Sequence, residues 1–314
     1  MTDSQQIWAV SDGRAGNLRQ AEALAQALDP GARHVTVTPR APWRWLAPRW
    51  LPADAAAFGP EIARQTALPA LAVGCGRQAA LATRWLRTQG SRAVQILDPR
   101  IDPGHWHLVI APEHDRLRGA NVIATLGSLH PVDDAWLARA RDAFPQFADL
   151  PRPRTALLLG GSSAHARFDR SAFEVLASKL EVPLARDGGS LLLTASRRTP
   201  RALRDVLRHR YDDTPGTVWR DAQDGPNPYP GLLAWADRIV CSPDSVNMIS
   251  EACATTVPVY VFDPGRVRGR PRRFVDALLA RGRIRALDTA LAPFDVEPLR
   301  ETARVAAEVR ARLG

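Results

Sequence analysis

At 314 residues the chain is longer than one ordinary core requires and suits two domains of about 150 residues each. Its 45% hydrophobic content is that of a globular protein and excludes a disordered tail, and no apolar run approaches the ~18 residues of a membrane span. The formal charge of +9 rests almost wholly on arginine, Lys179 being the sole lysine, so Schiff-base chemistry is not expected. Arginine-biased coding explains that charge, or an attraction to phosphate does. The basic residues are scattered and carry no RNA- or DNA-binding signature, so nucleic acid is not an expected partner. The N-terminus runs directly into a strand pattern with no signal-peptide layout, which points to the cytoplasm. Cys75, Cys241 and Cys253 form no CxxC pair, so neither a zinc site nor a disulfide frame is expected.

Short apolar runs alternate with helical patterns along the whole chain, the mark of parallel sheets covered by helices. Residues 7–11 predict a first strand and 16–28 the helix after it. Further strands are expected at 34–39, 70–74, 93–97, 107–112 and 121–127, with a helix at 78–88. The proline-rich stretch 144–154 breaks the pattern and predicts a linker. A second series then opens at 155–163, followed by the helix 171–181 and strands at 191–196, 217–221, 238–242 and 257–262. Residues 296–313 predict a last helix. The expected organisation is an α/β protein of two Rossmann-like domains facing across a cleft. The first domain is 1–148, the second 149–295, and 296–314 returns as a helix to the first.

Ligands of open α/β sheets bind beyond the carboxyl ends of the strands, and the polar loops fall there. The first is Ser11-Asp12-Gly13-Arg14-Ala15-Gly16-Asn17. Gly13 and Gly16 allow close backbone approach, Arg14 suits a phosphate or carboxylate, Asn17 opens the helix, and Asp12 is a candidate base. A plain tight turn would need the glycines but neither charge. The second, Gly74-Cys75-Gly76-Arg77-Gln78-Ala79, fits GxGxxA, with Asp98 some twenty residues on, as a dinucleotide fingerprint requires. Its place at an interior strand favours a backbone turn lining the cleft. In the third, Gly160, Gly161, Ser162 and Ser163 offer amides and hydroxyls at the start of the second domain. Ser196, Arg197 and Arg198 bring two guanidiniums to the same sheet edge.

The richest segment runs from Ser242 through Asp244, Ser245, Met248 and Ser250 to Glu251. Asp244 or Ser245 can cap a helix whose free amides suit a diphosphate, and Glu251, two turns in, can hold ribose hydroxyls. A well-capped helix with an incidental Glu is the bland alternative. Three tryptophans alternate with arginines in Trp43-Arg44-Trp45-Leu46-Ala47-Pro48-Arg49-Trp50-Leu51. This suits the interface of an anionic membrane, or aromatic packing within the first domain; Pro48 prevents a long amphipathic helix either way.

Together these segments resemble the mitochondrial fission family named for the elongated-mitochondria mutant of plants, which has many bacterial members. The resemblance rests on SDGRAGNLRQAEALA near the start, LLLGGSS at mid-chain, LLLTASRRT, and CSPDSVNMISEACATTVPVYVF. More distantly the chain is similar to GT-B glycosyltransferases. That likeness implies that Gly160, Gly161 and Ser162 lie near a donor diphosphate. It also implies that Ser245, Met248 and Ser250 line the donor pocket and that Glu251 meets the ribose. In such families threonine-glycine-any-proline follows the last segment, whereas here Thr256 stands in the glycine's place.

The resulting expectation is a glycosyltransferase that needs no metal or other cofactor, since no DxD ends a strand of the first domain. It would take sugar from a nucleotide-diphosphate sugar. Its acceptor would be an envelope glycan or lipid, on a cytoplasmic protein with a peripheral place at the inner membrane left open. Arg197 and Arg198 would neutralise the leaving diphosphate and Asp12 would act as base. Two rivals stand beside it, a nucleotide-sugar epimerase of the same fold and a non-enzymatic fission-type adaptor.

Overall fold

The computed structural model describes residues 6–49 and 52–314, so Trp50 and Leu51 of the tryptophan–arginine segment lie outside the described residues. The described chain forms two compact units, one reaching to Pro131 and including Arg300–Gly314, the other spanning Val132–Leu299.

In the first unit, strands β1 (Ile7–Ser11), β2 (Arg33–Thr36), β3 (Leu71–Cys75), β4 (Arg92–Ile96), β5 (Leu108–Pro112) and β6 (Val122–Thr125) pair in parallel. Their order is β2-β1-β3-β4-β5-β6. Helices α1 (Ala15–Leu28), α2 (Trp43–Leu46), α3 (Pro60–Ala63) and α4 (Arg77–Thr88) connect them. Both faces are covered, which is why the strands are apolar without alternation. In β1, Trp8 and Val10 pack with Val35, Phe58 and Trp85, while Ala9 turns to Leu24 and Val73 on the other side.

The second unit begins with α5 (Asp134–Ala143) and continues through β7 (Arg154–Leu159), α6 (Arg170–Asp187), β8 (Ser190–Ala195), α7 (Arg201–Arg210) and β9 (Gly216–Trp219). It is completed by α8 (Tyr229–Trp235), β10 (Arg238–Cys241), α9 (Val246–Cys253), β11 (Val259–Val261), α10 (Gly269–Ala280) and β12 (Ile284–Ala286). This second parallel sheet has the order β12-β11-β10-β7-β8-β9. Counted from its own first strand, that is the dinucleotide-fold order 3-2-1-4-5-6. Leu157 and Leu159 of β7 pack against Phe173, Leu176 and Leu180 of α6.

The break between the units falls at Pro131/Val132, ahead of the expected 148/149, because α5 packs on α8. Arg141 Nε donates to the Ala234 carbonyl at 3.0 Å, and Gly231 leaves room for the Phe144 ring just after α5, which would lie 2.6 Å from a Cβ there. The final helix α11 (Thr302–Leu313) belongs to the first unit, its Val305, Ala306 and Val309 joining Ala21, Leu24 and Ala25 of α1. It starts at Thr302 and not at 296. Pro298 offers no amide, and the Leu299 amide goes to the Cys253 carbonyl at 2.8 Å. Glu301, at the N-cap, accepts the amides of Leu126 and Gly127 at 2.7 and 2.9 Å.

Candidate functional site

Strand order alone marks a switch point in each sheet, where connections leave in opposite directions and a crevice opens at the strand ends. In the second sheet it lies between β7 and β10, and the segments Gly160–Ser163 and Ser242–Ser245 follow those two strands. Parallel register sets Leu158 beside Cys241, and the Ser242 amide continues the ladder to the Leu158 carbonyl at 3.0 Å.

The two loops are then joined through side chains. Ser242 Oγ accepts the Gly160 amide at 2.7 Å and donates to Asp244 Oδ1 at 2.6 Å. Asp244 Oδ2 accepts the Gly161 amide at 3.0 Å and pairs with Arg198 Nη2 at 2.6 Å. The Asp244 side chain has no exposed surface. A Cβ at Gly160 would sit 2.1 Å from that carboxylate, and one at Gly161 would sit 2.1 Å from the Arg198 carbonyl. Both glycines are therefore required by protein packing. The structure thus brings the expected donor-site residues together, with the Gly160 and Gly161 amides bonded to Ser242 and Asp244 and Arg198 paired with Asp244.

Ser162 and Ser163 shape the turn that follows. Ser162 Oγ accepts the Phe168 amide at 3.0 Å, and Ser163 Oγ accepts those of His165 and Ala166 at 3.2 and 3.1 Å. Beyond β8, the Ser196 amide bonds to the Leu159 carbonyl at 2.8 Å and Ser196 Oγ accepts the Arg198 amide at 3.2 Å. That turn leaves the Arg197 side chain exposed. The sequence reading missed Thr199, a buried residue whose hydroxyl donates to the Gly160 carbonyl and anchors the turn.

Ser245, not Asp244, caps α9, accepting the Met248 amide at 3.4 Å. Met248 is half-buried near the helix start, whereas Ser250 is fully buried and presents no surface to a ligand. Glu251 is also buried, at 4% exposure, and accepts a hydrogen bond from the Tyr229 hydroxyl at 2.6 Å. Tyr229 opens α8 and escaped the sequence reading because nothing local ties it to a residue 22 positions later. At the far end of α9, Arg283 donates to the carbonyls of Cys253 and Thr255 at 3.0 and 2.9 Å. Burial lowers its proton affinity. Thr256, in the glycine's place, is exposed.

A further cation comes from the turn after β11. The Arg268 amide donates to the His165 carbonyl at 2.7 Å, so this turn docks on the 160–168 loop, and Gly269, with φ +67°, lies against the His165 ring. The Arg268 side chain is exposed. The run GRVRGRPRR carried the signal in its density of arginine.

In the first sheet the switch point lies between β1 and β3. Asp12 Oδ1 accepts Asn17 Nδ2 at 2.9 Å and the Arg14 amide at 3.2 Å, and Arg14 Nε stands 3.5 Å from Oδ2. Ser11 Oγ accepts the Gly13 amide at 3.1 Å and lies 3.1 Å from His34 Nε2. Gly16 sits in the first turn of α1, where its carbonyl accepts Gln20 Nε2 at 3.2 Å. A Cβ at Gly74 would press on Thr83 at 2.7 Å and on Gln95 at 2.9 Å; one at Gly76, where φ is +90°, would meet Asn17 Nδ2 at 2.4 Å. The GxGxxA stretch is thus filled by the protein's own side chains. Burial, with the Asp12 charge adding to it, pushes the Cys75 thiol far above its ordinary range.

Two parallel six-stranded sheets, each with a polar loop pair at its switch point, define an α/β protein of the GT-B-like class. The chain belongs to the family described as Mitochondrial fission ELM1, whose model matches residues 15–313. It is 31% identical over 287 residues to mitochondrial fission protein ELM1 of Arabidopsis thaliana, a match covering 81% of this chain and 66% of the plant protein, just under two thirds of its length. It is 23% identical to the uncharacterized protein RP120 of Rickettsia prowazekii, over 96% of both chains. Among solved structures, UDP-GlcNAc 2-epimerase from Methanocaldococcus jannaschii superposes with a TM-score of 0.55 at 11% identity, over 98% of this chain and 99% of that one. The spinosyn forosaminyltransferase SpnP gives 0.50 at 15% identity, over 98% and 93%. At these identities the likeness shows the fold.

Proposed function

We propose that this protein is a glycosyltransferase that binds a nucleotide-diphosphate sugar at the switch point of its second sheet and passes the sugar to an envelope glycan or lipid. The observation that carries this reading is the buried Glu251, held by Tyr229 two turns into a helix whose N-terminus opens at the strand ends. A carboxylate fixed there suits the two hydroxyls of a ribose, and the first amides of α9 suit the phosphates next to it. Arg197 and Arg268, both exposed at that edge, supply positive charge for the diphosphate as the glycosidic bond breaks, so the reading calls for no metal. Ser242, Asp244 and Arg198 act as the brace that holds the loops. The first sheet's switch point is assigned to the acceptor, with Asp12 as the group that takes its hydroxyl proton.

An epimerase is the second reading, favoured by the fold shared with UDP-GlcNAc 2-epimerase. It requires no acceptor, so incubation with the nucleotide sugar alone separates the two. The decisive experiment is calorimetry with uridine, guanosine, cytidine and thymidine diphosphates on the wild type and Glu251→Gln. Selective binding of one nucleotide, weakened at least tenfold in the variant, supports the donor site. Failure of a folded sample to bind any of them overturns it and favours the adaptor reading that the family name suggests.

A further inference from the structure

The tryptophan–arginine segment of the first unit splits into an inward and an outward half. Trp43 faces the core side, half-buried, with its Nε1 donating to the Pro52 carbonyl at 3.1 Å. Trp45 points the other way and is 64% exposed, and Leu46 beside it is 39% exposed. This large apolar tip faces water within the single helical turn of α2. It is also held firmly. Arg77 Nη1 donates to the carbonyls of Trp45 and Ala47, both at 3.0 Å, and its Nη2 donates to that of Arg44 at 3.0 Å. Arg84 reaches the Pro48 carbonyl from the same helix, α4. The carbonyls left over at the end of a one-turn helix are thereby satisfied by guanidinium groups, and the turn presents Trp45 without needing order from a partner.

The segment is cationic. Arg40, Arg44 and Arg49 are exposed on it, Arg40 lying 5.3 Å from the centre of the Trp43 ring, with Asp54 as the acidic residue of the 40–54 stretch, 3.9 Å from Arg40. Arg44 lies over the Trp45 ring, 5.8 Å from its centre. An exposed indole and leucine on a segment that carries three exposed guanidiniums match the headgroup level of a negatively charged bilayer, where the ring enters the interface and the cations meet phosphates.

We propose that the Trp45–Leu46 tip with Arg40, Arg44 and Arg49 docks this protein on an anionic phospholipid surface. The proposal goes beyond the nucleotide reading and does not depend on it. It is tested by sedimenting the full chain with vesicles of phosphatidylglycerol and phosphatidylcholine, and with pure phosphatidylcholine vesicles. Binding is expected to the anionic vesicles only, to fall as salt rises, and to weaken about tenfold in Trp45→Ser. Arg44→Ala and Arg49→Ala should each weaken it by about fivefold. Because these side chains are exposed, melting temperatures and nucleotide binding should stay at wild-type values. No binding to anionic vesicles overturns the proposal. So does equal binding to neutral ones, undiminished binding by Trp45→Ser, or a Trp45-dependent affinity for an RNA homopolymer that matches the lipid affinity.

Discussion

The two switch points of this molecule are built on one plan and braced to different degrees. In each, an aspartate just past the end of a strand takes loop amides or side chains into its carboxylate. Asp244 is wholly covered and ties together three chain segments, those of β7, β8 and β10. Asp12 keeps 10% of its side chain exposed, and its hydrogen bonds stay within its own loop and the first turn of α1. The contrast is one of bracing: the second loop set is tied across the sheet by a covered carboxylate, whereas Asp12 keeps accessible surface.

The largest expected effect tests that contrast directly. Asp244→Ala leaves the Gly161 amide and the Ser242 hydroxyl without their acceptor and frees the Arg198 charge, a loss of about 3 kcal/mol in urea-unfolding stability. Asp12→Ala should cost about 1 kcal/mol, since its partners reach water. Equal losses at the two positions would break the comparison. Next come the glycines. Gly160→Ala drives a methyl into the Asp244 carboxylate, with an expected cost of about 3 kcal/mol. Gly76→Ala meets the movable Asn17 amide but must hold a positive φ, for about 2 kcal/mol.

A smaller effect sharpens the functional half of the contrast. Tyr229→Phe removes the hydrogen bond that holds Glu251, and nucleotide affinity measured by calorimetry should fall about tenfold. Asn17→Ala, in the first unit, should leave that affinity unchanged. A Tyr229→Phe protein that binds as tightly as wild type would separate Glu251 from the ligand.

The smallest effect concerns pH. Burial raises the thiols of Cys75, Cys241 and Cys253, the last to about 12, so all three remain protonated in the folded protein. Unfolded thiols ionise near the ordinary value of about 8.5. Stability from these groups is thus complete below that pH and declines as pH rises above it. A thiol reagent at pH 8 should label the protein only after unfolding, and rapid labelling of native Cys241 would contradict its burial. Asp12→Asn should change Cys75 labelling little, because burial is the larger cause there.

Much of the fold was readable because parallel strands buried on both faces leave continuous apolar runs, and glycines mark the turns after β1, β3 and β7. Chain order also showed that the polar segments follow strands. The helix α5 was hidden inside a stretch that a proline-rich sequence seemed to close, and its allegiance depends on Phe144 meeting Gly231 far along the chain. The site was legible by residue type more than by role. Ser242, Asp244, Arg198, Gly160 and Gly161 were all expected at one donor site, and the structure joins them there by bonds to one another.

Local sequence determined which segments become strands and helices, and which loops carry polarity, because side-chain periodicity and backbone freedom act within a few residues. Tertiary structure decided the partners. Gly161 meets Asp244 across 83 positions, Tyr229 meets Glu251 across 22, and the Arg268 amide reaches His165. Those pairings depend on the order and register of the sheet, which no local window contains. Burial then demands that polar groups brought together be satisfied, and it is this demand that joins Ser242, Asp244, Arg198 and the two glycine amides into a brace.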